Sequence, residues 1–175
     1  MNEYKRLARN LVQKGSIIDY YKDDIEVNGH IAKWDFVKHN GAAAVVAVRN
    51  DGKLLMVRQW RNALDRYTLE IPAGGLNKDE PTIDAAAREL KEETGYSCGK
   101  IEPLISINTT VAFCNELIDI FLATNLIKGD QNLDEDEYLG VEAWELKDLL
   151  QMIDDGIIKD SKTICAILKY AACIK

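Results

Sequence analysis

Residues 74–96 read Gly74-Gly75-Leu76-Asn77-Lys78-Asp79-Glu80-Pro81-Thr82-Ile83-Asp84-Ala85-Ala86-Ala87-Arg88-Glu89-Leu90-Lys91-Glu92-Glu93-Thr94-Gly95-Tyr96. A glycine pair opens the stretch. Pro81 suits a first helical position, with Asp79 and Glu80 at the positive end of the helix dipole, and Gly95 supplies a C-terminal stop. On the helix between them Glu89, Glu92 and Glu93 are spaced i, i+3, i+4, which places them within about a 100° arc of one face. Ile83, Ala87 and Leu90 fall on a different face and are expected to pack on a sheet. Like charges at this spacing destabilise an exposed helix by roughly 0.2–0.5 kcal/mol each, and a hard divalent cation would offset that. Carboxylate oxygens suit Mg²⁺ or Mn²⁺ better than zinc. Gly74-Gly75 lets backbone come close to an ion or phosphate, and Arg88, four residues before Glu92, can steady that carboxylate. A solvated acidic face is the commoner reason for two or three glutamates. It does not account for the glycine turn, the isolated Glu80 and the Arg-Glu-Leu-x-Glu-Glu run together.

Outward from the helix the chain alternates strands and turns. Residues 16–40 read as strands around Asn28-Gly29, a strong hairpin signal. Ala42 to Val48 is apolar enough to be buried on both faces. Asn50-Asp51-Gly52 turns it into Leu54 to Gln59, Tyr67 to Ile71 is a short strand, and Pro72-Ala73-Gly74-Gly75 breaks it. Leu104 to Asn108 and Leu117 to Ala123 follow as strands. Helices over Glu145–Asp155 and Ser161–Ile174 close the chain, with apolar residues at helical spacing. The simplest assembly is an α+β fold, a mixed sheet sandwiched by helices. Residues 1–40 would form an N-terminal antiparallel β segment and 41–175 the main domain.

Composition narrows the partners. The chain has 175 residues and a formal net charge of -7, without the Lys/Arg footprint that a nucleic-acid backbone calls for. No apolar run is long enough to span a bilayer. Cys98, Cys114, Cys165 and Cys173 show no metal-finger spacing, which fits free thiols in a reducing cytoplasm.

The stretch 74–96 resembles the signature of the Nudix hydrolase family: Gly74, Glu80, Arg88, Glu89, Leu90, Glu92, Glu93 and Gly95 match at every specified spacing, and Tyr96 takes the last apolar slot. The resemblance implies metal binding by Glu89, Glu92 and Glu93, joined by the Ala73 carbonyl, with Gly74, Glu80 and Arg88 in support. It runs over nearly the whole chain toward the ADP-ribose pyrophosphatase group, through Lys38-His39-Asn40-Gly41-Ala42, Arg58-Gln59-Trp60-Arg61 and Leu69-Glu70-Ile71-Pro72-Ala73-Gly74. It implies that Arg61 contacts a diphosphate; a surface salt bridge is the alternative. Trp34-Asp35 is similar to a pair that contacts adenine from a partner subunit, the alternative being a tryptophan in a dimer core. Asn115-Glu116 is similar to a loop whose glutamate binds a ribose hydroxyl, although Val111-Ala112 stands where the group has Pro-Gly.

The resemblance further implies a mobile acidic loop, Leu133-Asp134-Glu135-Asp136-Glu137, that supplies the general base: Glu135 first, Glu137 second, with a solvated charge run as the alternative for Asp134 and Asp136. The expected activity is Mg²⁺- or Mn²⁺-dependent hydrolysis of ADP-ribose to AMP and ribose 5-phosphate by a cytoplasmic homodimer whose N-terminal segments, residues 1–40, are exchanged so that each completes the neighbour's site. Two rivals are the same chemistry on another nucleoside diphosphate sugar or dinucleotide, and a sensor that binds ADP-ribose without cleaving it. A third, hydrolysis of oxidised nucleoside triphosphates, fits the N-terminal segment poorly.

Overall fold

The computed structural model describes residues 4–133 and 138–174. The chain forms two compact units, residues 1–41 with 108–117 and residues 42–107 with 118–175.

The first unit is a three-stranded antiparallel sheet, β1 (Tyr4–Lys14), β2 (Ile18–Val27) and β3 (His30–His39), in that order. The β2–β3 turn is the one expected. Asn28 and Gly29 both take positive φ, 50° and 80°, and Val27 faces His30, a geometry that twists with the flanking strands. Strand β1 was not expected, since the sequence reading begins its strands at residue 16. Nearly all its side chains are exposed, so no alternation marks it, and its pairing from Tyr4↔Val27 to Lys14↔Asp19 rests largely on backbone groups. Arg9 is its main side-chain anchor. The Arg9 guanidinium donates to both carboxylate oxygens of buried Asp23, at 2.8 and 2.6 Å. Its carbon lies 3.3 Å from the centre of the Phe36 ring, so one cation ties all three strands together. The edge of β3 continues into the loop 109–116: Val37 N–H donates to the Phe113 carbonyl and Asn115 N–H to the Val37 carbonyl.

The second unit is built on a seven-stranded mixed sheet flanked by helices, the architecture expected. Its strands are β4 (Ala42–Val48), β5 (Leu54–Arg61), β6 (Arg66–Glu70), β7 (Ala73–Gly75), β8 (Tyr96–Asn108), β9 (Leu117–Lys128) and β10 (Leu139–Trp144). The order is β10-β5-β4-β9-β8, with β6 paired to β5 and β7 to β4. Parallel pairing with β9 and antiparallel pairing with β5 cover both edges of β4, and packing on either side of the sheet buries both its faces. On one face Ala44, Val46, Leu54 and Met56 pack against Leu149 of α2 (Leu146–Asp154) and Ala166 and Ile167 of α3 (Ser161–Cys173). On the other, Val45, Ala47 and Leu55 pack against Leu90 of α1 (Thr82–Thr94).

Several local expectations give way. Pro72 to Gly75 is not only a break, since residues 73–75 pair with β4 as β7. Strand β10 lies where no strand was read, and β8 begins at Tyr96, well before Leu104. On α1 the residues facing the sheet are Ala85, Ala86 and Leu90, while Ile83 is exposed. Pro81 stands just before the first helical residue rather than at it, a one-residue difference of the kind helix ends show. Gly95 caps α1 as expected, with φ 76° and its N–H on the Lys91 carbonyl. No described helix is long and apolar enough to cross a membrane, and all four cysteines are free.

Candidate active site

In the second unit Arg88 organises the acidic face of α1 from its middle. Its Nε and Nη2 grip the two oxygens of Glu80 at 2.8 and 2.9 Å. Nη2 also donates to the Gly75 carbonyl at 3.1 Å, and Nη1 donates to Glu89 at 2.7 Å and Glu92 at 2.9 Å. A guanidinium has five N–H donors, and these five bonds use them all. Glu80 accepts further from the Asn77 N–H at 2.9 Å. Hydrogen bonds from Arg88 and then from Asn77 hold the Glu80 carboxyl down to about 2, and the bonds to Glu80, then Glu89 and Glu92, raise Arg88 above its ordinary value. The loop before the helix is thus pinned to it by an ion pair between Glu80 and Arg88.

Gly74 is required by close approach. A Cβ there would lie 2.0 Å from Oε1 of Glu89, whereas one on Gly75 would meet nothing within 4 Å. Glu93, only 2% exposed, accepts the Ala73 N–H at 3.0 Å. Glu89, Glu92 and Glu93 therefore stand at the loop 73–75, two of them through direct contacts with it. These hard oxygen donors fit Mg²⁺ or Mn²⁺ in type. Among the described residues no three His, Cys, Asp or Glu side chains converge closely enough to form a ready cation cage; Arg88 draws Glu89 and Glu92 to itself. Glu135 and Glu137, the expected bases, lie outside the described residues.

Arg61 ends β5 beside Glu70, the last residue of β6. Its Nε and Nη2 meet the two carboxylate oxygens of Glu70 at 2.8 and 2.6 Å. This is an ion pair, but not a surface one on the carboxylate's side, since the Glu70 side chain is 3% exposed. Glu70 also accepts from the Thr68 hydroxyl at 2.6 Å and from Lys162 of α3. Burial pushes the Glu70 carboxyl up, but the Arg61 hydrogen bonds, the Lys162 charge and the Lys162 and Thr68 hydrogen bonds outweigh it, and the balance falls to about 2. The sequence reading used Glu70 only as part of a resemblance and passed over Lys162. The pairing of a β6 carboxylate with a cation 92 residues away leaves no local pattern.

The first unit holds Trp34, Asp35 and Glu116. Trp34 and Asp35 are consecutive on β3, so their side chains leave opposite faces. Both nevertheless line one cavity of about 520 Å³, with Tyr20, Lys33, Val37, Ala112 and Phe113. Trp34 is half exposed and tilts against Tyr4, with ring centres 6.0 Å apart. Asp35 accepts from the Tyr20 hydroxyl at 2.6 Å and from Lys22, whose hydrogen bond is the main reason its carboxyl is held below the usual range. Glu116 accepts from the Thr109 hydroxyl at 2.7 Å and lies 3.4 Å from Nδ1 of His39. The Asn115 side chain bridges the His39 backbone, accepting its N–H at 2.8 Å and donating to its carbonyl at 3.1 Å, so the loop bearing Glu116 is stitched to β3.

A glycine loop is pinned to a helix by an Arg–Glu grip, and Glu89, Glu92 and Glu93 gather beside it. The chain belongs to the NUDIX domain family, whose model matches residues 38–166. It is 40% identical over 168 residues to the ADP-ribose pyrophosphatase of Bacillus subtilis (strain 168), covering 94% of this chain and 91% of that protein. At the same identity and coverage it matches the methanol dehydrogenase activator of Bacillus methanolicus. In fold it is similar to a crystal structure of an ADP compounds hydrolase, with a TM-score of 0.86, 21% identity, and coverage of 98% of this chain and 94% of that one.

Proposed function

We propose that this protein is a pyrophosphohydrolase that cleaves the diphosphate linkage of ADP-ribose to AMP and ribose 5-phosphate, working with Mg²⁺ (or Mn²⁺) in the cytoplasm. The observation that carries the reading is the Arg88-centred cluster of Glu80, Glu89 and Glu92 against the loop 73–75, with Glu93 bound to the same loop. The 40% identity to a B. subtilis ADP-ribose pyrophosphatase over almost the whole chain supports the substrate. A site kept only for binding would not need that set of carboxylates, which weighs against a non-catalytic sensor.

Glu89, Glu92 and Glu93, with the Ala73 carbonyl, would hold the metal. Bound there, a divalent ion supplies charge neutralisation at the diphosphate and a lowered water pKa. Arg61 binds the diphosphate: its side-on grip on Glu70 uses Nε and Nη2 and leaves Nη1 for a phosphate oxygen. Glu135, or failing it Glu137, takes the proton of the attacking water. As the resemblance implies, Trp34 and Asp35 meet an adenine held mainly by a partner subunit, Trp34 by stacking, and Glu116 holds a ribose hydroxyl.

A hydrolysis screen over nucleotide sugars, dinucleotides and nucleoside triphosphates, with and without chelator, tests this reading. AMP released from ADP-ribose only with metal present is the expected result. Faster turnover of another nucleoside diphosphate sugar or a dinucleotide would move the substrate while keeping the chemistry. Binding of ADP-ribose without hydrolysis at any metal concentration would end the enzyme reading. Glu135→Gln should lower kcat by about 10²–10⁴-fold with little change in KM, the usual cost of losing a general base; the same loss in Glu137→Gln alone would reassign the base.

A further inference from the structure

Four charged groups meet where α3 begins. Lys162, on the first turn of α3, is buried, with its side chain 10% exposed. Its ammonium donates to Oε2 of Glu70 and, at 2.9 Å, to Oδ2 of Asp160. Glu70 in turn holds Arg61 side-on. Asp160 caps α3 by accepting the Thr163 N–H at 3.1 Å and the Thr163 hydroxyl at 2.6 Å. That hydroxyl accepts the Ile71 N–H at 3.0 Å, two residues before Ala73. The start of α3 is therefore bonded both to Glu70, which aims Arg61, and to the backbone that runs into the loop 73–75.

The charges balance as two cations, Arg61 and Lys162, against two carboxylates, Glu70 and Asp160. Without Lys162 the set would be one cation against two anions. Glu70 would then neutralise Arg61 alone, and its carboxylate would lose one of the donors that hold it in place. A guanidinium neutralised by its own carboxylate is a poorer partner for a diphosphate, and one whose carboxylate can turn is a poorly aimed one. A misplacement on the order of 1 Å costs an enzyme about 10²-fold.

We propose that Lys162 is a positioning residue for substrate binding: through Glu70 it fixes the Arg61 guanidinium and leaves that group's charge available to the substrate diphosphate. This rests on the reading that Arg61 contacts the diphosphate.

The test uses the full chain, ADP-ribose as substrate and ADP as a competitive probe of diphosphate binding. Lys162→Met should raise KM and the ADP inhibition constant about tenfold with kcat changed less, and Lys162→Arg should restore most of the affinity. A merely structural role would not reproduce the decisive result. Placed in an Arg61→Met background, Lys162→Met should cost nothing further, because the group it positions is gone. An equal tenfold loss in both backgrounds overturns the proposal while leaving the Arg61 reading intact, as does wild-type affinity in Lys162→Met. Unchanged KM and ADP affinity in Arg61→Met alone overturns the Arg61 reading and, with it, this one. Should Lys162→Met not fold, Lys162→Gln carries the same comparison: it keeps a donor for Glu70 but no charge, and about a threefold loss that vanishes in the Arg61→Met background is expected, with an undiminished loss there counting against the proposal.

Discussion

Gly74 and Gly75 are neighbours of one residue type with opposite tolerances. A methyl group on Gly74 would fall 2.0 Å from Oε1 and 2.1 Å from Cδ of Glu89, while one on Gly75 would enter open space. The obstructing group is the far end of a side chain that Arg88 holds, so Gly74→Ala should fold nearly as well as the parent but with Glu89 pushed aside from that contact. Its turnover should drop by about 10²-fold, the scale of a misplaced catalytic group, and its metal requirement should rise. Gly75→Ala should keep most activity. Metal titrations of the two variants check this, and equal activities would show that Glu89 has no need of its present position. Glu70 gives a second expectation at this scale. Its carboxyl is held at about 2 against an ordinary 4.5. A depressed folded-state value contributes stability that is complete above the unfolded value and is lost as pH falls toward the folded one. The difference amounts to about 3 kcal/mol. The urea midpoint should therefore fall between pH 4.5 and 2, and more steeply in the parent than in Glu70→Gln, whose overall stability should be lower because two cations lose their shared carboxylate. Identical slopes in the two proteins would contradict it.

The elements divide by how much of their cause is local. Strand β4 was legible because burial on both faces leaves a continuous apolar run. The turn at Asn28-Gly29 was legible because positive φ at two successive positions calls for those residues. Helix α1 was legible from its charges and its stop. Strand β1 was not, because nearly all its side chains stay in solvent and its one buried ion pair, Arg9 with Asp23, leaves no alternation to read. Nor was β7, a three-residue pairing made of Ala and two Gly that carries no side-chain pattern. The sheet-facing side of α1 was misjudged because the small Ala85 and Ala86, not Ile83, fit against Ala43 and Phe121 of the strands beneath. Close packing there makes the end of α1 sensitive too. Gly95 has φ 76°, and a Cβ on it would lie 2.9 Å from the Gly129 carbonyl oxygen and 3.0 Å from Asp130 backbone. A left-handed conformation costs a non-glycine residue about 1–2 kcal/mol, before any backbone shift. Gly95→Ala should therefore lower Tm by about 3–8 °C while leaving the metal requirement of the folded protein unchanged. An unaltered thermal midpoint would mean that the helix end re-forms without its glycine.

For the whole molecule the open question is what covers the first unit. It exposes the large apolar side chains Leu11, Val12, Ile17, Ile31 and Trp34, each roughly half exposed or more, and exposed apolar groups in such number on a small sheet suit a partner. The resemblance noted in the sequence names one, a second copy of the chain whose site this segment completes. The expectation is a homodimer of twice 19.7 kDa, measured by sedimentation or light scattering; a monomer at working concentration would end the idea. Trp34 then decides whether the dimer serves catalysis or only folding. It lines one cavity with Asp35 and Phe113, so a flat base can lie against an aromatic face while its polar edge meets a carboxylate that Tyr20 and Lys22 keep ionised. Loss of one base–aromatic stack costs about 1–3 kcal/mol, which for a binding step is roughly a five- to 150-fold rise in KM. Trp34→Ala should show that rise with ADP-ribose, remain dimeric, and lose little affinity for a diphosphate without a base, such as inorganic pyrophosphate used as inhibitor. If pyrophosphate and ADP-ribose weaken together, the tryptophan is acting through the shape of the interface. If neither weakens in a variant that is still a dimer, its role is packing alone.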